Sequence, residues 1–221
     1  MIKMSENIIN NNSKNNPVND SNDDANYSIY ISGVGGQGII KTSVIIGEAA
    51  MLEGYDVVMS EIHGMSQRGG SVSTELKIGN FKSSIVEESK ADLILAFEPI
   101  EVLRGLNKAN KDTTLIFNTF PIVPSTLTQT GETYPGIDDI IRNLKDNFDS
   151  VYPIEGNGLA IDAGSILSLN MVLLGACVAN DSFPLSKETV ETAMKHNLAP
   201  KFHEMNLKAI ENGYNAVKNS L

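Results

Sequence analysis

The sequence predicts a three-layer α/β domain in which a mostly parallel, Rossmann-like sheet carries helices on both faces and an inserted antiparallel hairpin. Three features predict this fold class. Strand-like and helix-like segments alternate from Ser28 onward, a glycine cluster joins the first strand to the first helix, and two later strands are continuous apolar runs. Alternating strands and helices form parallel sheets, and strands buried on both faces are apolar throughout.

The chain up to residue 86 contains the first four predicted strands. In order, its elements are a strand ending at residue 32, a helix over 37–53, a strand over 56–60, a polar loop over 61–70 and a strand over 71–78. Gly54 lies where a glycine commonly terminates a helix. Gly79 and Asn80 are typical of a tight turn, so residues 81–86 are predicted to return as the hairpin partner of the preceding strand.

The sequence after residue 86 indicates the remaining strands and most of the helices. Continuous apolar runs predict buried strands over 93–97 and 114–118, and Pro99 suits the start of a helix that runs to about residue 108. The later elements are a long loop over 119–136, a helix over 137–147, a strand over 149–154 and helical segments near 164–180, 186–197 and 203–219.

The chain of 221 residues is long enough for one domain with a core of its own. Residues 1–26 differ from the rest because they include nine Asn and few apolar side chains to offset the entropy cost of ordering. We therefore expect a disordered, Asn-rich tail over 1–26 and a single domain over 27–221.

Composition excludes several classes of function. The net charge of −10 and the pI near 4.7 argue against a nucleic-acid-binding protein that uses a broad basic face. A single cysteine provides neither an intrachain disulfide nor the thiolates of an iron–sulfur cluster. No apolar run reaches the about 18 residues of a membrane span, and the N-terminus lacks a secretory signal pattern, so we expect a cytoplasmic protein.

The segment GVGGQG contains the spacing G-x-G-x-x-G at Gly33, Gly35 and Gly38, between the first strand and the first helix. In this setting glycines allow a tight turn, a close approach of a phosphate to the backbone and close helix–sheet packing. The helix N-terminus also attracts anions through its free N–H groups. An anionic ligand or partner group is therefore one interpretation, and close packing of strand and helix alone is the other.

A nicotinamide site would need an acidic residue at the end of the second strand, about 20 residues further on, to bind the ribose. Glu61 has a suitable position, but the polar loop that follows it argues against this interpretation.

A second glycine-rich loop, HGMSQRGG over residues 63–70, is predicted at the same edge of the sheet. Arg68 is suited to a phosphate or carboxylate, Gln67 adds hydrogen bonds, and Gly69 and Gly70 allow close approach. His63 adds an imidazole, the type of side chain that can change charge near neutral pH. Two glycine-rich loops are thus expected to face one crevice, although pairing of Arg68 with Glu61 is an alternative.

Several segments in this order resemble the gamma-type domain of the 2-oxoacid:ferredoxin oxidoreductases. These segments are GVGGQGI, SEIHGMSQRGGSV, ADLILAFEPIEVLR, NMVLLGA and NLKAIENGYNAVK. The resemblance covers residues 28 to about 219, and the second and third segments resemble in particular the branch that acts on aryl-2-oxoacids such as indolepyruvate.

The resemblance implies a Rossmann-like subunit of a hetero-oligomer that oxidatively decarboxylates 2-oxoacids with coenzyme A (CoA), giving an acyl-CoA and reduced ferredoxin. It also implies that thiamine diphosphate, Mg and 4Fe-4S clusters belong to a large alpha subunit, and that this chain shapes the crevice and is inactive alone. Carried over position by position, the residues expected near the cofactor or CoA are Gly33, Gly35, Gly36, Gln37, Gly38, Gln67, Arg68, Gly69 and Gly70.

Three alternatives remain at this stage. The chain could serve a member of the same family specific for pyruvate or another 2-oxoacid, it could be a self-sufficient NAD(P)- or flavin-binding oxidoreductase, or it could be a non-enzymatic binding module. No catalytic residue and no metal ligand is predicted on the chain itself.

Other polar residues have structural interpretations. Glu98 is expected at the start of a helix, where acids favour the dipole, although its position at the carboxyl edge of the sheet also allows contact with the crevice. Glu101 with Arg104 forms an i,i+3 pair, and Cys177, in an almost wholly apolar helix, is interpreted as a core residue. Asn170 is interpreted as a capping residue, with contact to a ligand as the alternative, and His196 and His203 are interpreted as surface or helix-end residues.

Overall fold

The computed structural model describes residues 26–63, 70–123 and 133–219, and within them it contains six β-strands and seven α-helices. The strands are β1 (Tyr27–Val34), β2 (Val57–His63), β3 (Ser71–Ile78), β4 (Leu93–Ala96), β5 (Thr114–Asn118) and β6 (Ser150–Ile154). The helices are α1 (Ile39–Leu52), α2 (Pro99–Gly105), α3 (Ile137–Asn147), α4 (Gly156–Ala163), α5 (Leu169–Ala179), α6 (Lys187–Asn197) and α7 (His203–Lys218). The predicted tail lies outside the described residues except for Asn26.

The strands form one sheet in the order β2-β3-β1-β4-β5-β6. Strands β1, β4, β5 and β6 are parallel neighbours, whereas β3 runs antiparallel to both β1 and β2. Because β2 and β1 therefore point in the same direction, their carboxyl ends lie at the same edge of the sheet. The predicted three-layer α/β fold with an inserted antiparallel hairpin is confirmed.

The predicted hairpin partner of β3 is wrong, because residues 81–86 form no strand and β2 pairs with β3 instead. Strand β2 continues to His63, which is opposite Val72, so residues 61–63 belong to a strand and not to the loop. The segment after β3 is held by polar side chains of that strand. The Val86 N–H donates to Glu75 Oε2 at 2.6 Å, and Lys77 Nζ donates to Glu87 Oε2 at 2.8 Å.

The sheet separates two apolar clusters. Leu93 and Leu95 of β4 face the cluster that contains residues of α1 and α4–α7, whereas Ile94 and Ala96 face the cluster that contains residues of α2 and α3. This alternation explains why the strand is apolar at every position, as parallel strands covered on both faces are.

The helices before α5 differ from the predicted ones. A helix was not predicted over Gly156–Ala163, which contains two glycines, but Glu155 accepts the Gly158 N–H at 3.1 Å and so caps its start. The helix predicted near 164–180 begins as a 3₁₀ turn, Ile166–Ser168, and continues as α5. No single described helix is long and apolar enough to cross a membrane, and α4 reaches that length and composition only when joined to Ile166–Ala179, from which it bends by 118°.

Candidate ligand site at the glycine loop

The glycine loop, residues 33–38, connects β1 to α1 and is braced by one of its own side chains. Gln37 accepts the Val34 N–H at 2.7 Å through Oε1 and donates through Nε2 to the Phe97 carbonyl at 3.0 Å. The Gln37 N–H also donates to the Val34 carbonyl at 3.2 Å. Gln37 therefore ties the loop to the end of β4 and fixes the path of the backbone into α1.

Three glycines of this loop are required by its geometry. A Cβ at Gly33 would lie 2.8 Å from the Phe97 Cβ and 2.9 Å from Gln37 Oε1. Gly36 and Gly38 have φ values of 110° and 89°, which side chains rarely tolerate. A Cβ on Gly36 would meet nothing within 4 Å, so its surface is open to a ligand.

The described end of the second glycine-rich loop lies beside the first loop. The Gly35 N–H donates to the Gly70 carbonyl at 2.9 Å, and Val34 is opposite Ser71 in the ladder between β1 and β3. The structure thus brings Gly35 and Gly70 together at one edge of the sheet. Gln67, Arg68 and Gly69 lie outside the described residues.

A cavity of about 360 Å³ opens against the start of α1. Its lining residues are Gly35, Gly36, Gly38, Ile39, Ile40, Lys41, Glu61 and Val72. Gly38 occupies the N-cap position without a capping side chain, and the first N–H groups of a helix have no partner within the helix. These donors, together with the Lys41 cation, make the cavity suited to an anionic group.

Lys41 was not singled out from the sequence. A signal was present, because a lysine in the first turn of a helix opposes the helix dipole and α1 has no acidic residue there. The signal is weak, because the dipole disfavours an exposed cation in that position by only about 0.3–1 kcal/mol.

The sheet order argues against a nicotinamide site. In dinucleotide-binding Rossmann folds the second strand is a parallel neighbour of the first. Here β3 lies between β1 and β2 and runs antiparallel to both. Glu61 lines the cavity from the edge strand β2, so the acidic residue has the predicted sequence spacing but a different strand neighbourhood.

A second cavity, of about 260 Å³, lies on the other side of the glycine loop. Its lining residues are Gly36, Gln37, Gly38, Asn118, Phe120, Ile122, Asn157, Ile166, Leu167, Leu169 and Asn170. Asn118 organises its floor, because Nδ2 donates to the Phe97 carbonyl at 3.3 Å and to Asn157 Oδ1 at 3.1 Å, while Oδ1 accepts the Gly156 N–H at 3.1 Å. The two cavities share Gly36 and Gly38.

Glu98 has a structural role at the start of α2, which is the helix-start role that the sequence favoured. Its Oε2 accepts the Ile100 N–H at 2.8 Å and the Glu101 N–H at 3.3 Å. Its Oε1 accepts the Tyr134 hydroxyl and the Ile122 N–H. Burial, together with the neighbouring carboxylate, raises the pKa of Tyr134 and keeps its hydroxyl a donor. Glu98 thus anchors the segment that leads into the second cavity.

Glu101 connects α2 to the start of β3. Its Oε2 accepts from Ser71 Oγ at 2.7 Å, and Arg104 pairs with its other oxygen, which confirms the predicted i,i+3 pair. Burial raises the pKa of Glu101, with the hydrogen bond from Ser71 and the charge of Arg104 acting in the opposite direction. Because Ser71 follows Gly70, this carboxyl group fixes the described end of the second glycine-rich loop.

Cys177 and the two histidines of the helical region have structural roles, as predicted. Burial raises the pKa of the Cys177 thiol, which keeps it protonated within the core. His196 Nδ1 lies 2.7 Å from Glu48 Oε1, and His203 Nε2 lies 2.8 Å from the Leu198 carbonyl. In the part of the chain that the structure describes, no group of three His, Cys, Asp or Glu side chains is placed to bind a metal ion.

Comparison with known proteins gives close relatives over nearly the whole domain. A family model described as pyruvate ferredoxin/flavodoxin oxidoreductase matches residues 28–216. The indolepyruvate oxidoreductase subunit IorB of Methanothermobacter thermautotrophicus is 50% identical over 195 residues, which cover 88% of this chain and 100% of that protein. IorB of Archaeoglobus fulgidus is 41% identical, covering 85% and 94%. The 2-oxoglutarate synthase subunit KorC of M. thermautotrophicus is 25% identical, covering 84% and 92%.

Solved structures have the same fold. The gamma subunit of a keto/oxoacid ferredoxin oxidoreductase from Geobacter sulfurreducens has a TM-score of 0.65 and 26% identity, covering 87% of this chain and 99% of that one. A 2-oxoglutarate:ferredoxin oxidoreductase from Magnetococcus marinus has a TM-score of 0.67 at 21% identity. The likeness covers 88% of this chain but 31% of that much longer one, and it concerns the fold alone.

Proposed function

The chain belongs to the pyruvate ferredoxin/flavodoxin oxidoreductase family, and from this premise we propose that it is the gamma-type subunit of an indolepyruvate:ferredoxin oxidoreductase. The observation that carries the proposal is the 50% identity to an IorB subunit over that protein's whole length, against 25% to a 2-oxoglutarate synthase subunit. The resemblance noted in the sequence is confirmed at the level of the family. The self-sufficient nicotinamide or flavin enzyme is not favoured.

The reaction would convert an aryl-2-oxoacid and CoA to an acyl-CoA and CO₂. The bond between the carboxyl and oxo carbons breaks, a thioester bond to the CoA sulfur forms, and two electrons pass to ferredoxin. Thiamine diphosphate and iron–sulfur clusters would supply the decarboxylation and electron-transfer chemistry from a larger partner subunit. The composition supports that division, because the chain has one cysteine, whereas an iron–sulfur cluster is held by several thiolates.

The part of this chain would be to bind the anionic end of CoA in the 360 Å³ cavity. The α1 N-terminus and Lys41 would attract a phosphate, and the open surface of Gly36 would let it approach the backbone. Gln37 would position this loop. Gln67, Arg68 and Gly69, which lie outside the described residues, would complete the site next to Gly70.

The test of the proposed function is co-expression with the large subunit encoded in the same genome, followed by assay of acyl-CoA formation with reduction of ferredoxin. We expect the complex to prefer indolepyruvate over pyruvate and 2-oxoglutarate, and each subunit alone to be inactive. A preference for pyruvate or 2-oxoglutarate would contradict the substrate assignment. Turnover by this chain alone would contradict the division between subunits.

The CoA site is tested in the same complex by Lys41→Ala. We expect the KM for CoA to rise about three- to tenfold with little change in the KM for indolepyruvate, because a partly exposed phosphate contact is worth about 1 kcal/mol. Lys111→Ala is the matched control, since Lys111 is an exposed lysine that precedes β5 at the opposite edge of the sheet. Equal KM values for CoA in the two variants would show that Lys41 does not contact CoA.

A further inference from the structure

The 260 Å³ cavity differs in character from the cavity assigned to CoA. We call it the amide pocket, after Asn118, Asn157 and Asn170 in its lining. None of its described lining residues carries a charge, although the chain as a whole has a net charge of −10. Depletion of charge is typical of the core of a protein–protein interface. The volume is also below the range of about 300–1,000 Å³ in which small-molecule sites usually fall.

Asn170 is the polar group of this pocket that lacks a partner. The residue is 8% exposed, and its carboxamide forms no hydrogen bond within the described part of the chain. Its Nδ2 lies 3.1 Å from the position of a Cβ on Gly38, beside the start of α1. The capping interpretation of Asn170 is therefore wrong, whereas the alternative, contact with a ligand, stays a prediction. No fully buried side-chain nitrogen or oxygen atom of the described residues lacks a partner, so the donor and acceptor of Asn170 open into the pocket, where a bound group can pair with them.

Apolar side chains stand around the mouth of the amide pocket. Leu167 is 83% exposed, Phe120 51% and Ile166 44%. The rim is held rigidly on the side of the 3₁₀ turn. There the Leu167 N–H donates to Ser165 Oγ at 3.2 Å, and Ser168 Oγ donates to the Ser165 carbonyl at 2.7 Å.

The opposite side of the rim is also held by hydrogen bonds. The Thr119 N–H donates to the Ile154 carbonyl at 2.9 Å, and the Ile122 N–H donates to Glu98 Oε1 at 3.1 Å. Apolar side chains that are exposed on fixed backbone are typical of interface anchors, because little entropy is lost when they become buried.

We propose that the amide pocket and its apolar rim are a docking site for the larger oxidoreductase subunit, which inserts an apolar side chain and pairs a backbone peptide group with the Asn170 carboxamide. The inference rests on the proposed function, which supplies that partner. A peptide group offers both the donor and the acceptor that Asn170 lacks. A small ligand inside the pocket would leave Leu167 and Phe120 in water, whereas a protein surface covers them.

The position of the pocket also favours this partner. The glycine loop forms a wall of both cavities, so a subunit seated on the amide pocket would lie directly beside the proposed CoA site. The reactive groups of that subunit must reach the CoA sulfur. A docking site on the same edge of the sheet meets this requirement without a long connecting loop.

The test is the affinity of the large subunit for Leu167→Asp, measured by titration of the two purified subunits. Met51→Asp is the matched control, because Met51 is 60% exposed but lies near the far end of α1, about 18 Å away along the helix axis. We expect Leu167→Asp to raise the Kd at least tenfold and Met51→Asp to leave it within twofold. Both free chains should unfold at the same temperature as the unmodified chain.

A second variant, Asn170→Leu, tests the polar contact. Because the carboxamide has no partner within the described residues, the free chain should be at least as stable as before, while the Kd for the large subunit should rise at least fivefold. A loss of stability in the free chain without a change in Kd would assign Asn170 a structural role and overturn its part in the docking site.

The outcomes separate this inference from the proposed function. If the unmodified chain binds the large subunit and Leu167→Asp binds equally well, the docking site is wrong and the proposed function stands. If Leu167→Asp assembles normally but raises the KM for CoA or indolepyruvate, the pocket holds a small molecule, and the docking site is again wrong. If the unmodified chain does not bind the large subunit, both proposals fail.

Discussion

At the scale of single residues, Phe97 connects the candidate site to the sheet. Its carbonyl accepts from Gln37 Nε2 and from Asn118 Nδ2, so one backbone group at the end of β4 positions both the glycine loop and the floor of the amide pocket. Its own N–H donates to the Ser32 carbonyl at 2.8 Å, which continues the pairing of β1 with β4. A small displacement of this residue would therefore change both cavities together.

The same neighbourhood makes Gly33 intolerant of a side chain. We predict that Gly33→Ala lowers the free energy of unfolding by about 1–3 kcal/mol, because its Cβ would overlap the Phe97 Cβ and Gln37 Oε1. Gly47→Ala is the matched control. Gly47 lies within α1, and its Cβ would make ordinary contacts with the Val57 side chain at 3.6 Å and the Leu76 side chain at 3.8 Å, so we expect a gain of about 0.5–1 kcal/mol. Chemical denaturation of both variants measures these values, and equal values would contradict the steric argument.

At the scale of elements, α5 and α7 pack with their backbones in close approach. A Cβ on Gly213 would overlap the Val172 carbonyl oxygen, and a Cβ on Gly175 would overlap the Ile210 carbonyl oxygen. The two glycines let the helices pack with their backbones in contact. Since α5 carries Asn170 at its start, this contact also fixes the depth of the amide pocket.

We predict that Gly213→Ala is more damaging than Gly33→Ala and costs more than about 3 kcal/mol of stability. The overlapping atoms belong to the backbone of a neighbouring helix, so no side chain can rotate to make room. The measurement is again the free energy of unfolding, with Gly47→Ala as the reference for a helical glycine that has space. A loss below about 1 kcal/mol would show that the helices separate easily, and would disprove the tight packing.

At the scale of the whole molecule, the fold class followed from local patterns, whereas strand partners did not. The apolar runs of β4 and β5 and the glycine loop identified a largely parallel sheet. The tight-turn pattern at Gly79 predicted a hairpin with 81–86, but Glu75 and Lys77 bind that segment as an irregular cover for the sheet. Side-chain pairing between distant residues decided the outcome, and it leaves little trace in local periodicity.

The candidate site, too, could be predicted from the sequence only where it depends on local patterns. The glycine spacing located the loop, and the common direction of β1 and β2 predicted that the two glycine-rich loops lie at one edge of the sheet. The contact between Gly35 and Gly70 comes from the pairing of β3 with β1, which was not predicted. Lys41 was missed, and the capping interpretation of Asn170 was wrong, because the importance of each residue depends on which cavity its helix borders. A residue's ability to cap a helix can be judged from its neighbours in sequence, but a carboxamide that lacks a partner at a pocket can be recognised only in three dimensions.

The final prediction concerns the Asn-rich N-terminal segment. We predict that deletion of residues 1–25 leaves the free energy of unfolding within about 0.5 kcal/mol. The family match begins at residue 28, and the 195 residues aligned with M. thermautotrophicus IorB make up that whole protein. The deletion retains Asn26, whose Oδ1 accepts the Asn80 N–H at 3.1 Å at the turn after β3. An Asn26→Ala variant of the shortened chain is the control for that bond. A substantial loss of stability on deletion alone would mean that the segment packs against the domain, which its composition argues against.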